Sequence, residues 1–251
     1  MVNNKFKIGQ IVPSSNTTME TEIPAILRAR EDILPERFTF HSSRMRMKKV
    51  TKSELELMDA DSLRCALELS DAYVDVIGYA CLVAIMSMGN GYHVTSQNNL
   101  YEQTVKNNHP TSVITSAGAL VEGLHTLKAK NIAIITPYMK PLTKLVVDYL
   151  TDQGFNVVDS ISLEIPDNLE VAAQDPENLK EIYKKLDTDK ADVVVLSACV
   201  QMPSLPSVDF VEKELGKPVT TASICTTYKM LKELGLEAKS KIGGELLSGK
   251  Y

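Results

Sequence analysis

The chain has 251 residues, enough to bury a sizeable core as one large α/β unit or as two small ones. Its hydrophobic fraction of 44% and charged fraction of 24% exclude a largely disordered protein, and a net charge of -5 argues against general binding to nucleic acid or an anionic membrane surface. Met1 to Gln10 has no apolar core of the signal-peptide kind, and no run approaches the roughly 20 apolar residues of a membrane span, so a cytoplasmic location is expected.

In chain order, Phe6 to Val12 reads as a buried strand, Pro13 to Thr18 as a polar loop, and Met19 to Arg30 as a helix with a Thr-x-x-Glu start. Arg37 to His41 is predicted as a strand and Ser42 to Met47 as a solvated loop. Thr51 to Ala72 has the spacing of a long helix, with Thr51 and Glu54 fitting a capping box. Val74 to Ala80 is a third strand ending at Cys81, and Ser112 to Thr115 a fourth, followed by a helix over Ala117 to Lys128. The order then restarts. Asn131 to Thr136 is a buried strand, Pro137 to Thr143 a loop, Leu145 to Gln153 a helix and Phe155 to Ser160 a strand. Pro176 to Leu186 reads as a helix, Asp192 to Ala198 as the strand ending at Cys199, and Pro218 to Thr220 leads into a helix over Ser223 to Leu234.

The repeat is measurable, since Pro13 to Cys81 spans 68 residues and Pro137 to Cys199 spans 62. In both halves a proline ends the first strand, an aspartate (Asp75, Asp192) opens the third, and Ala-Cys closes it. Alternating strands and helices imply parallel sheets with right-handed crossovers, and such sheets place their chemistry at the C-terminal strand ends. Two pseudo-symmetric, flavodoxin-like domains are therefore expected, with Cys81 and Cys199 facing one another across the cleft between them.

The four cysteines have no CxxC or Cys/His zinc spacing, and a reducing compartment leaves them as thiols. Cys65 and Cys225 fall within amphipathic helical patterns and are expected to be structural. Cys81 and Cys199 sit at equivalent places of the repeat, where space-filling is a poor explanation, and a following helix N-terminus would lower a thiol pKa. Asn16, Tyr138 and Asn168 stand in the neighbouring loops, where amide and hydroxyl groups can orient carboxylate oxygens, although each is also an ordinary turn residue. Arg44 and Arg46 could draw an anion to the cleft. Met45, Met47, Met86, Met88 and Met202 could line it. His41, His93, His109 and His125 form no recognisable nucleophile-base pair. There is no Gly-x-Gly-x-x-Gly or Walker sequence, so neither a nucleotide nor a metal is indicated.

Five stretches carry a resemblance to a known family: Pro13 to Glu20, Phe38 to Met47, Gly78 to Ala84, Ile165 to Asn168, and Leu196 to Pro206. They resemble the bacterial maleate isomerases (maleate cis-trans isomerases) of the aspartate/glutamate racemase superfamily. The resemblance implies that Cys81 adds to an alkene carbon to give a succinyl-cysteine, with Cys199 as acid/base partner or only a polar neighbour. It also implies substrate binding by Asn16, Tyr138 and Asn168 and by the backbone of Leu82, Val83, Val200 and Gln201. No cofactor is implied, the partner is a small dicarboxylate (maleate or fumarate), and assembly is as a homo-oligomer such as a homodimer. It further implies an N-terminal domain of residues 1–115 completed by 222–251, with 116–221 as the second domain. The residues after each cysteine, Leu-Val and Val-Gln, differ from the Cys-Asn-Thr and Cys-Thr-His settings of amino-acid racemases, and the presence of both cysteines counts against the arylmalonate decarboxylase branch. A two-cysteine amino-acid or hydantoin racemase and a two-lobed small-acid binding protein remain the alternatives.

Overall fold

The computed structural model describes residues 4–48 and 51–251. Met1 to Asn3, the start of the segment read as free of a signal peptide, lie outside the described residues.

The first half runs β1 (Lys5–Pro13), α1 (Met19–Glu31), β2 (Arg37–Met45), α2 (Lys52–Asp71), β3 (Val76–Tyr79), α3 (Leu82–Ser87), α4 (Tyr92–Lys106) and β4 (Ser112–Thr115). The second runs α5 (Ser116–Thr126), β5 (Asn131–Thr136), α6 (Lys140–Asp152), β6 (Asn156–Ser162), α7 (Asn168–Ala172), α8 (Leu179–Ile182), β7 (Val193–Ser197), α9 (Leu205–Leu215), β8 (Val219–Thr221) and α10 (Ala222–Glu233). They form two four-stranded parallel sheets of matching order, β2-β1-β3-β4 and β6-β5-β7-β8. In each, the chain reverses its direction of winding between the first and third strands, where open α/β sheets bind their ligands.

The expected α/β fold with two repeated parallel-sheet units is thus present, and small details repeat with it. Asp75 accepts from the Lys7 N–H at 2.7 Å, and Asp192 accepts from the Lys130 and Asn131 N–H groups at 2.9 and 2.8 Å, so each aspartate steadies the start of its half's first strand. Thr115 and Thr221 each end a last strand and cap the following helix, accepting from Gly118 N at 3.1 Å and Ile224 N at 3.2 Å.

Parallel sheets need cover on both faces. On β3, Gly78 turns toward Met19 of α1 and Thr226 and Met230 of α10, while Tyr79 turns the other way and reaches Asp59 of α2. The C-terminal helix α10 therefore lies against the first sheet. Arg30 of α1 donates to the Lys239 carbonyl at 2.8 Å, and Ser240 Oγ to the Ile26 carbonyl at 2.8 Å, tying the following segment there as well. The two equivalent helices α5 and α10 pack on each other, with Gly123 directly opposite Cys225.

Several local expectations change. The strand β2 runs on to Met45, because it pairs with β1 along its whole length from Lys5↔Arg37 to Pro13↔Met45. After each cysteine the chain enters a helix, α3 directly after Cys81 and α9 six residues after Cys199. Pro206 belongs to the first turn of α9, where its missing N–H costs nothing. Helix α4 was not expected, since its buried stripe is Ser96, Leu100 and Thr104, an i, i+4, i+8 spacing made largely of small polar residues. The single helix expected over 176–186 is a short α8 between two 3-10 turns. The Thr-x-x-Glu start of α1 is capped instead by Asn16, whose Oδ1 accepts from Thr18 N and Met19 N at 3.0 Å each.

Candidate active site

Cys81 follows β3 and is the N-cap of α3; Cys199 follows β7 at the matching point of the second sheet. Both line one narrow cavity, with about 20 Å³ of free volume, between the two sheets, together with Pro13, Asn16, Met47, Leu82, Val83, Tyr138, Asn168, Val200 and Gln201. The nine residues expected to catalyse or bind substrate are all in that lining, with Met47 alone of the five candidate methionines, and Pro13 is an addition. The extension of β2 is what carries Met47 there, whereas Met45, Met86 and Met202 are buried elsewhere and Met88 is exposed. None of the eleven lining side chains is charged.

The two cysteines have matching surroundings. The Cys81 sulfur accepts from the N–H groups of Val83 and Ala84, and the Cys199 sulfur from those of Gln201 (3.4 Å) and Met202. In each half these are the residues two and three places after the cysteine. The expected lowering of thiol pKa does not follow. Burial pushes the Cys81 thiol up to about 12, the two N–H groups oppose this only in part, and charge on Cys199 would raise it further. Cys81 is half-buried and its accessible part borders the cavity, so the apolar surroundings outweigh that opening. Burial also raises Cys199, against the lowering influence of the Tyr138 hydroxyl and the two N–H groups. A six-residue helix has too little aligned dipole to reverse so large a desolvation penalty.

Tyr138 is buried and its hydroxyl lies 3.4 Å from the Ala198 carbonyl and within reach of Cys199; burial raises its pKa well above 10, so it is a hydrogen-bond donor at neutral pH. Because Asn16 Oδ1 is committed to the start of α1, its Nδ2 is the group left for the cavity. Asn168 Nδ2 donates to Ser15 Oγ at 2.8 Å. The Gln201 side chain spans the two halves, accepting from Thr17 N at 3.1 Å and donating to Ser15 O at 2.9 Å and Asn168 O at 2.7 Å. Its backbone N–H is the one on the Cys199 sulfur.

The remaining candidates lie elsewhere. Arg44 pairs with Glu20 and holds the carbonyls of Ser14 and Asn16 at 3.0 and 2.6 Å, so it braces the Asn16 loop from outside. Arg46 borders a wider surface hollow of about 440 Å³ with Lys48, Glu54, Leu57 and Asp61, which contains neither cysteine. His93 hydrogen-bonds Tyr149, His109 stacks on Tyr73, and His125 on Phe155. Cys65 and Cys225 are buried within α2 and α10. Among the described residues no group of acidic, histidine and cysteine side chains is arranged to hold a metal ion, and no helix is long and apolar enough to cross a membrane.

One residue that joins the two halves had no signal in the sequence. Glu22 of α1 is buried and accepts from the first N–H groups of α9, Ser204 N at 2.6 Å and Leu205 N at 2.7 Å, linking the two halves below Cys199. Burial raises its pKa more than these bonds lower it, and its charge would raise that of Cys199.

The chain matches the family model described as arylmalonate decarboxylase over residues 8–247. It is 65% identical over 246 residues to a maleate isomerase of Pseudomonas putida, covering 98% of each chain. The crystal structure of a maleate isomerase from Pseudomonas putida S16, a Cys-to-Ala form with maleate, superposes with a TM-score of 0.97 at 60% identity, covering 98% of this chain and 99% of that one. A Nocardia farcinica maleate cis-trans isomerase, a Cys-to-Ser mutant with a covalently bound succinylcysteine intermediate, superposes with a TM-score of 0.94 at 42% identity, covering 98% of this chain and all of that one.

Proposed function

Since the chain belongs to the maleate isomerases, a branch of the family described as arylmalonate decarboxylase, we propose that its cavity converts maleate to fumarate through a succinyl adduct on Cys81. The observation that carries this reading is the placement of two thiols, from equivalent strand ends, in one small cavity lined by uncharged donors.

The central bond of maleate cannot rotate while it is double. Cys81, a thiol in the ligand-free protein, first gives its proton to solvent. Addition of the resulting thiolate to one alkene carbon forms a C–S bond and moves the π pair onto the other carbon and into its carboxylate; the thiolate recovers a proton from solvent after it leaves. A succinyl group is saturated at both central carbons, so that carbanion takes a proton; Cys199 supplies it and becomes the thiolate, with Tyr138 donating to its sulfur. The new single bond rotates. Cys199 then takes back a proton, the C=C bond re-forms as the trans isomer, and the Cys81 thiolate leaves. Splitting one hard step into easier ones is covalent catalysis. We assign the carboxylates, where charge accumulates, to the backbone N–H groups of Leu82 and Val200 with Asn16 Nδ2 and Asn168, joined by those of Val83 and Gln201 and by the Tyr138 hydroxyl when they turn from the cysteine sulfurs. The reaction needs no cofactor, since the proton and the electron pair are both returned.

The reading extends to a homo-oligomer working in the cytoplasm on a small dicarboxylate. We assign residues 1–115 with 222–251 to one domain and 116–221 to the other, a division supported by the packing of α10 on the first sheet.

The test is an NMR time course of the purified protein with maleate, in which fumarate must appear. Cys81→Ala should abolish turnover and Cys81→Ser should leave at most a trace. Mass spectrometry of a Cys199→Ser variant should find one maleate mass added to the Cys81 peptide; turnover near normal in either Cys81 variant would falsify the nucleophile assignment.

A further inference from the structure

We propose that the Gln201 side chain is a latch that joins the polar loops of the two halves and thereby sets Asn16 and Asn168 at the spacing a four-carbon dicarboxylate requires. This role rests on the isomerase reading for its substrate but on geometry alone for its mechanics.

Gln201 is buried, and its amide is engaged on both sides of the cleft. From the second half it reaches the loop after β1, with Oε1 accepting from Thr17 N at 3.1 Å and Nε2 donating to Ser15 O at 2.9 Å. The same Nε2 donates to Asn168 O at 2.7 Å. A fourth bond, Asn168 Nδ2 to Ser15 Oγ at 2.8 Å, closes the circuit. The residues so joined flank both proposed substrate asparagines: Ser15 and Thr17 stand on either side of Asn16, and Asn168 is held by its own backbone and side chain. The side chain is thus committed to joining the loops, while its backbone N–H faces the Cys199 sulfur at 3.4 Å.

A cavity bounded by both halves with only about 20 Å³ of free volume, room for a water or so, must widen for a dicarboxylate to enter and for its longer trans isomer to leave. Hydrogen bonds to backbone groups suit that need, because water replaces them on opening at little net cost. A carboxamide is also specific here. It offers one acceptor to an N–H and two donors to two carbonyl oxygens, and glutamate of the same shape would set a carboxylate against both carbonyls.

The experiment uses the full chain and iodoacetamide at pH 9, reading the labelling rate of each of the four cysteines by peptide mass spectrometry. With Gln201→Glu and Gln201→Ala, Cys81 and Cys199 should label about tenfold faster than in the unaltered protein, the shift expected of an opening equilibrium that loses one or two such bonds. Cys65 and Cys225, buried away from the cleft, should not change. In parallel, kcat/KM for maleate should fall about tenfold, with the loss mainly in KM, as expected when ground-state positioning is removed. Unchanged labelling of Cys81 and Cys199, or equal acceleration of all four thiols, overturns the latch. Should both Gln201 variants fail to fold, Ser15→Ala removes only the Asn168 side-chain link, and it should raise labelling of the same two thiols about threefold; no rise there is equally fatal. If the unaltered protein forms no fumarate, the isomerase reading falls, yet the labelling still decides the latch because it needs no substrate.

Discussion

Glu22 illustrates how far a single residue's role depends on what the fold brings to it. On an isolated α1 an acid in the first turn reads as a solvated residue that favours the helix dipole. In the protein it is buried and takes the place of an N-cap for α9, a helix that begins 183 residues later in the chain. Its Oε2 and the nearby Ser223 hydroxyl make no hydrogen bond of ordinary geometry. Glu22→Gln should therefore be nearly neutral in thermal unfolding, since the amide oxygen accepts the same two N–H groups. Glu22→Ala leaves both orphaned in a buried place and should cost about 2–4 kcal/mol. A carboxylate-specific need would reverse that order. The cysteines were legible for the opposite reason: their meaning lay in repetition at matching strand ends, which needs no tertiary contact to be seen. Their pKa direction was not legible, because it is set by how completely the folded chain buries them. One consequence is testable in the ligand-free protein. With Cys81 held at about 12, its thiolate fraction grows about tenfold per pH unit below that value, so its alkylation rate should climb at that slope from pH 7 to 9. A plateau near pH 7 would mean that the thiol is already ionised.

Among the elements, the strands were the most legible and the helices beside the cysteines the least. A strand buried on both faces announces itself by a short apolar run, as in Val193–Ser197, whereas α3 begins with Leu82 and Val83, whose burial serves the cavity, and α9 begins with Leu205 and Pro206. Helix α4 shows a further limit, since a buried stripe of Ser96, Leu100 and Thr104 lacks the apolar period on which such readings depend. The pairing of α5 with α10 rests on a close approach. A methyl group on Gly123 would lie 2.6 Å from the Cys225 sulfur and 3.2 Å from both Cys225 Cβ and Leu246 Cδ2. Gly123→Ala should accordingly lower stability by about 1–3 kcal/mol, despite alanine's better helix propensity, as measured by urea unfolding. A gain in stability would show that the two helices can move apart freely.

For the whole molecule, the thiols share a direction of shift. Burial raises Cys65, Cys81, Cys199 and Cys225, with Cys81 and Cys225 reaching about 12 from an ordinary value of 9.0. Below pH 9 both folded and unfolded chains hold these protons and the stabilising contribution is fully present. As pH rises from 9 toward 12 the unfolded chain ionises first, so the contribution is lost. Urea midpoints at pH 8, 9.5 and 10.5 should fall in that order, and a midpoint that stayed level would show that the thiols are not insulated as their burial implies.

The seating of α10 on the first sheet has a consequence for how the protein is born. A ribosome adds roughly 5–20 residues per second, so the four strands of that sheet can emerge well before the helix that covers one of their faces. For a span on the order of ten seconds Gly78 and Met19 would present an uncovered apolar surface to the cell. The nascent chain should therefore be a chaperone client during synthesis, and chain fragments ending before residue 222 should aggregate even though every strand of both sheets is already present.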